Sequence, residues 1–312
     1  MKDEYPGAFG FLRSVSLNNE EIVLILVDER ISMDAISVLA KVLSYESSSI
    51  RIEHLPNELQ SDFPSDICRS ILASDVIIMA ASQSWYQAPT RRKAKYQFGK
   101  RVIECYNLSI EMLKGGALCA DYNKLSIFTK ELFSRFKSGS TIEITTREGS
   151  YLVSEFRDAY EETGLYDNPG SGGNLPAGEI SLGLLENTAR GEIIFNVSFD
   201  HLGRLERYPL KITIRENRIA KVEGEFKQKF ESLLNQNDNL RNVAEIGIGT
   251  NSFSILGRSV LEDEKKLGTA HIGFGNDTYF GGNTDGPHID GVFSNATVSV
   301  DEKLLMENGC VI

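Results

Sequence analysis

Residues 21–28 read EIVLILVD, the nearly continuous apolar run that a strand buried on both faces requires. MDAISVLAKVLSYE (33–46) follows, with Ile36, Leu39, Ala40 and Leu43 at helical spacing. SIRIEHL (49–55) alternates as a strand, SDICRSILASD (65–75) reads as a helix, and VIIMAAS (76–82) is a further buried strand. This β-α-β-α-β order predicts an open parallel α/β sheet. Working outward, RRKAKYQFGKRVIECY (91–106) predicts a helix followed by a short strand, RVIECY. DYNKLSIFTKELFSRFKSG (121–139) predicts an amphipathic helix with Leu125, Phe128, Leu132 and Phe136 on one side.

The pattern changes near residue 140. STIEITTREGSYLVSEF (140–156) reads as a hairpin, and GEIIFNVSFD (191–200) as one half-buried strand carrying Ile193, Phe195, Val197 and Phe199 on a single face. YPLKITIRENRIAKVEGE (208–225) predicts a second hairpin, and KQKFESLLNQNDNLRNVAE (227–245) a helix. ATVSVDEKLLMENGCVI (296–312) predicts short strands around a DEK turn. The expected class is α/β: an N-terminal open parallel α/β domain over 1–140, then a mostly β (α+β) metal-binding domain over 141–312.

The formal net charge of -11 argues against nucleic acid or an anionic membrane surface as partner. Cys68, Cys105, Cys119 and Cys310 are widely spaced and form no CxxC pair, so small buried thiols are expected rather than a disulfide framework. The start, MKDEYPGAFGF, lacks the basic and apolar segments of a signal peptide, and no stretch approaches the ~18 apolar residues of a membrane span. A soluble cytoplasmic protein is expected.

Chemistry concentrates in the last third. Glu179 stands in NLPAGE, Glu245 in AEIGIGTN, His271 in LGTAHIGFG, and His288 with Asp290 in GPHID. Imidazole nitrogens and carboxylate oxygens hold divalent first-row metals while leaving positions open for substrate. Only four histidines occur in the chain, and two of them fall here. Taken singly, each residue has an ordinary structural reading, as a satisfied core histidine or a paired acid. Glu245, bracketed by Ala244, Ile246 and Ile248, faces away from those apolar neighbours on a strand, and an acid so placed needs a partner. His288 and Asp290, two apart, share one face of an extended strand. Each stands beside glycine or a short alternating run, and glycine permits close backbone approach. Together they predict a metal site and hence an enzyme.

The runs NLPAGEI, AEIGIGTN, LEDEKKLGTAHIGFGN and FGGNTDGPHIDGVF resemble the thermophilic metallo-aminopeptidase (aminopeptidase T-like) family. The resemblance extends through TRRKAKYQFGKRV and LKGGALCADY and so covers most of the chain. It implies divalent ions, zinc, cobalt or manganese and up to two of them, held by Glu179, Glu245, His271, His288 and Asp290. The family's tyrosine is represented approximately by Tyr279, eight residues after His271. It also implies a homodimer, and hydrolysis of an N-terminal residue from a small peptide or amide, with Glu179 or Glu245 as general base.

The sequence is similar as well to the 2,5-dihydroxypyridine 5,6-dioxygenases. That similarity implies a single iron(II) on His271, His288 and Asp290, with Phe274, Tyr279, Phe280 and Phe293 near an aromatic pocket. A catalytically silent accessory relative is the third class. Elsewhere, GSGGN (170–174) lacks the lysine of a phosphate loop and reads as a flexible approach to Glu179. Trp85 and Tyr86 read as packing at the sheet edge, and Arg91, Arg92, Lys93 and Lys95 as a solvated helix face.

Overall fold

The computed structural model describes residues 1–58 and 60–312. Packing divides them into two units: Met1–Ser126 with Thr163–Ala177, and Ile127–Glu162 with Gly178–Ile312. The first unit contains α1 (Pro6–Val15), β1 (Ile22–Val27), α2 (Met33–Leu43), β2 (Ser49–His54) and α3 (Ser65–Ala73). It continues with β3 (Val76–Ala80), α4 (Pro89–Tyr96), β4 (Arg101–Glu104) and α5 (Ile110–Lys114). Its four strands are parallel in the order β2-β1-β3-β4. The apolar run that opens β1 serves two cores at once. Val23, Ile25 and Val27 pack with Ile36 and Leu39 of α2, while Leu24 and Leu26 pack with Ile67 and Ile71 of α3. Helices on both faces of a sheet leave no side of the strand for polar residues.

Two details of this unit differ from the sequence reading. GSGGN is not a flexible approach to Glu179; it runs along the outer edge of β4. The Val102 N–H donates to the Ser171 carbonyl at 3.2 Å, the Glu104 N–H to Gly173 at 2.9 Å, and the Leu175 N–H to Glu104 at 2.7 Å. A side chain at Gly172 (φ 145°) would run into the Val102 backbone. Sheet-edge donors need such a cover, and glycine lets the chain lie close enough to provide it. Second, Arg91 is not on the solvated face of α4. It is buried, with Nη2 2.7 Å from Glu104 Oε1 and the guanidinium 4.1 Å from the Tyr86 ring centre. The Tyr106 hydroxyl donates to the other Glu104 oxygen. Arg92 and Lys93 are exposed as expected. Trp85 is buried and stacks on Phe63 at 4.6 Å.

Helix α6 (Tyr122–Phe133) precedes the strands of the second unit: β5 (Thr141–Thr145), β6 (Tyr151–Glu162), β7 (Glu179–Leu184), β8 (Arg190–Phe195), β9 (Ser198–Phe199) and β10 (Gly203–Arg204). The hairpin β11 (Leu210–Arg215) and β12 (Arg218–Glu223) follows, turning at Glu216 and Asn217, both at positive φ. Then come α7 (Lys227–Gln236), β13 (Val243–Gly249), α8 (Val260–Lys265), β14 (Thr269–Gly275) and β15 (His288–Ser294). Short strands β16 (Thr297–Val300), β17 (Lys303–Glu307) and β18 (Cys310–Val311) close the chain.

These strands form one antiparallel sheet in the order β10-β9-β15-β14-β13-β7-β6-β5-β16-β17-β18, with β8, β11 and β12 branching from β6. The single strand expected over 191–200 is two. The side chains keep their alternation and all four apolar residues are buried, except that the backbone exchanges partners. β8 bonds to β6 and β11, and β9 bonds to β15 and β10. Asn196 marks the exchange, accepting the Ser294 N–H at 3.0 Å. The helix expected over 227–245 stops at Gln236, where Asn237 caps a 3-10 turn leading into β13. Among the described residues, no helix is long and apolar enough to cross a membrane.

Candidate metal centre

The four neighbouring strands β7, β13, β14 and β15 carry a checkerboard of acids, histidines and glycines. Their register sets Glu179 opposite Gly249, Gly247 between Ser181 and His271, Gly273 between Glu245 and Asp290, and Gly275 opposite His288. Residues directly opposite one another share a face of the sheet. The other face is apolar: Ile180, Leu182, Ile246, Ile248, Ile272 and Phe274 all enter the core. The glycines are what give the imidazoles room. A Cβ at Gly247 would overlap the His271 ring, and one at Gly273 would lie 2.6 Å from His288 Nε2 and 2.9 Å from Glu245 Cβ.

Glu245 stands at the middle. Its Oε1 is 3.7 Å from His271 Nε2, and its Oε2 is 3.3 Å from His288 Nε2. Glu179 Oε2 approaches His271 Nε2 from the other side at 3.8 Å, and Asp290 Oδ1 approaches His288 Nε2 at 3.4 Å. Helix α8 adds Glu264. The ligand-type atoms thus fall into two compact groups, Glu179–Glu264–His271 and Glu245–His288–Asp290. The first group is buried; the second opens toward solvent, with the His288 side chain 30% and Asp290 17% exposed.

The His288 ring is oriented from behind. Its Nδ1 lies 2.9 Å from the Asn276 carbonyl oxygen, which can only accept, so Nδ1 carries the hydrogen and Nε2 points at the carboxylates. Lys265, also from α8, is buried and donates to Glu179 Oε1 at 2.6 Å, with Glu264 Oε2 at 3.4 Å and Glu162 Oε2 at 3.6 Å. Behind Asp290, its N–H donates to Asp200 Oδ2 at 3.0 Å.

This arrangement fits a divalent cation. The two groups bring four carboxylates together, two of them beside the Lys265 ammonium, and among the described residues Glu179 Oε2, His271 Nδ1 and Asp290 Oδ1 are buried without a hydrogen-bond partner. Buried charge left uncompensated is costly. The titration behaviour carries the same message. Burial pulls the His271 pKa down, yet Glu245 and the charges of Glu264, Glu179 and Asp290 outweigh it and hold it at about 9. His288 is likewise raised well above its ordinary value, against the pull of burial, by Asp290 and Glu245. Burial pushes the Glu245 carboxyl up, but the two histidines bring it well below its usual range. Burial and then the Asp290 charge push Glu264 well up, and burial with Asp290 lifts Asp200 to about 6. Each imidazole, in other words, sits where positive charge is strongly favoured.

Five residues singled out from sequence, Glu179, Glu245, His271, His288 and Asp290, therefore share one face of adjacent strands. Tyr279 lies on the turn between β14 and β15; it is 47% exposed, and its ring packs against Tyr160 and Phe280, each at 5.2 Å. Phe280 covers Gly183, the residue opposite Glu245, so these rings border the site face. Phe274 and Phe293 do not line a pocket there; both are core residues. Sequence reasoning missed Glu264, Lys265 and Asp200. The first two sit in LEDEKK, a run of acids and lysines, and nothing around Asp200 marks it.

Comparison with known proteins extends this picture. The model of the family described as NicX, 2,5-dihydroxypyridine 5,6-dioxygenase, matches residues 76–312. The solved structure of 2,5-dihydroxypyridine dioxygenase from Pseudomonas putida KT2440 superposes with a TM-score of 0.79 at 14% identity, over 98% of this chain and 96% of that one. Wild-type AmpT from Thermus thermophilus superposes with a TM-score of 0.67 at 13% identity, over 100% and 99%. At such identities the likeness is one of fold. No curated protein sequence gives a significant match.

Proposed function

The chain belongs to the NicX family, that of 2,5-dihydroxypyridine 5,6-dioxygenase, and we propose that it is a metal-dependent enzyme that hydrolyses a small peptide or amide conjugate at its N-terminal residue. The observation that carries this reading is the pair of three-ligand groups joined through Glu245, whose two carboxylate oxygens face the two histidines. Glu179, Glu264 and His271 would hold one ion, and Glu245, His288 and Asp290 a second. Mixed imidazole and carboxylate donors suit zinc, cobalt or manganese. Ions in such a site supply Lewis acidity toward a carbonyl and a water of lowered pKa.

The chain's own residues do the rest. Substrate enters on the side of His288 and Asp290, the more exposed part of the site. Lys265 ties down Glu179 Oε1, which leaves Oε2, without a hydrogen-bond partner among the described residues, as the oxygen that would face an ion beside His271. Glycines at 247 and 273 keep the floor of the site free of side chains.

A second reading is favoured by the family match and by the ring cluster Tyr160–Tyr279–Phe280 bordering Glu245. On that reading His271, His288 and Asp290 would hold a single iron(II), which would supply oxygen chemistry, while Glu179 and Glu245 would contact substrate and a flat aromatic ring would rest on the aromatic wall.

Metal analysis of protein purified aerobically and anaerobically, paired with turnover of aminoacyl amides and of dihydroxypyridines, separates the two. Two zinc, cobalt or manganese ions per chain, as about two per site in co-catalytic hydrolases, with amine release, is the expected result. An oxygen-labile iron, about one per chain as in facial-triad oxygenases, with loss of pyridine absorbance, moves the assignment to ring cleavage. Metal-free protein under both conditions overturns both.

A further inference from the structure

The two ligand groups differ in one buried charge. Glu245–His288–Asp290 combines two carboxylates with an imidazole and, among the described residues, no ammonium in contact. Glu179–Glu264–His271 has the same composition, but Lys265 donates to Glu179 Oε1 at 2.6 Å and stands 3.4 Å from Glu264 Oε2. Lys265 is 1% exposed, so water screens this charge little. From that difference we infer that Lys265 makes the two ion positions unequal: the position on Glu245, His288 and Asp290 fills first, and the position on Glu179, Glu264 and His271 is the weaker, exchangeable one.

The inference rests on the two-ion reading above. The ammonium already satisfies one oxygen of Glu179 and part of the charge of Glu264, so an incoming dication gains less there and meets like charge. Glu162 Oε2, 3.6 Å from Lys265 Nζ, holds the ammonium from β6 and fixes it in place. On the other side, Asp200 bonds to the backbone of Asp290 and adds a further acid rather than a cation. Lys265 is therefore a positioning residue. It orients Glu179 so that Oε2 faces His271, and it sets the order of filling.

Titration of the metal-stripped full chain with Mn2+, followed by calorimetry and by the electron paramagnetic signal of free Mn2+, tests this without reference to turnover. Wild type should show two steps separated by about tenfold or more, the scale of one partly screened unit charge nearby. Lys265→Met should tighten the second step by about tenfold while leaving the first nearly unchanged, and Lys265→Arg should keep the wild-type separation. Two indistinguishable steps in wild type, or a separation untouched by Lys265→Met, would overturn the inference while leaving the two-ion reading intact. Should Lys265→Met not fold, Glu264→Gln decides: weakening confined to the second step supports the inference, and weakening of the first step overturns it. A single step in wild type and every variant alike removes the two-ion reading itself.

Discussion

At the scale of single residues, the glycines are as diagnostic as the ligands. Gly247, between Ser181 and His271, and Gly273, between Glu245 and Asp290, sit on the site face, and each leaves the space that an imidazole fills. Gly247→Ala should displace the His271 ring, cost about 1–3 kcal/mol as overpacking does, and weaken metal binding about 10–100-fold, as loss of ligand orientation does. Thermal unfolding and a metal titration measure both, and unchanged metal affinity would remove the glycine from the site's architecture. The ligand-type residues were legible because histidine is scarce in the chain and each lies in a Gly-rich alternating segment. The pairing of particular glycines with particular rings was not, because cross-strand register is a tertiary fact. Glu264 and Lys265 stayed hidden for a different reason. A short run of acids and lysines looks the same whether it faces water or, as here, a cluster of buried carboxylates.

At the scale of elements, local pattern read well wherever an element keeps one partner on each side. β1, α2, β2, α3 and β3 follow directly from hydrophobic period, since the alternate residues of each buried strand go to separate cores. Pattern failed where backbone hydrogen bonds change partner with no change in side-chain alternation, as between β8 and β9. It failed also where a loop serves as a strand substitute, as 171–175 does along β4. The end of β4 depends on the Arg91–Glu104 pair, both 1% exposed, which links it to α4. Arg91→Met should destabilise the protein by about 3–5 kcal/mol, because it strands a buried carboxylate. Adding Glu104→Gln should recover part of that loss, since both charges are then gone. Urea unfolding of the single and double variants checks the sign. A double variant no more stable than Arg91→Met would place the loss in packing against Tyr86 rather than in charge.

At the scale of the molecule, the α/β class was legible, and the reaction was not. A fold carries many chemistries, and what selects among them is the content of the site. The charge of that site gives it a whole-molecule signature. In metal-stripped protein, the carboxylates around His271 raise its pKa from 6.5 to about 9. A folded-state pKa above the unfolded value adds stability that is complete below 6.5 and is lost as pH rises through about 9. The stripped protein should therefore melt at progressively lower temperature between those two pH values. A bound ion takes the place of that proton, so metal affinity should rise over the same interval. The melting temperature of loaded protein should sit above that of stripped protein by an amount that grows with pH. Calorimetric melts of both forms across this range provide the check. If the stripped protein's stability is flat there, His271 does not carry a proton among those acids, and the charge balance drawn for the centre fails.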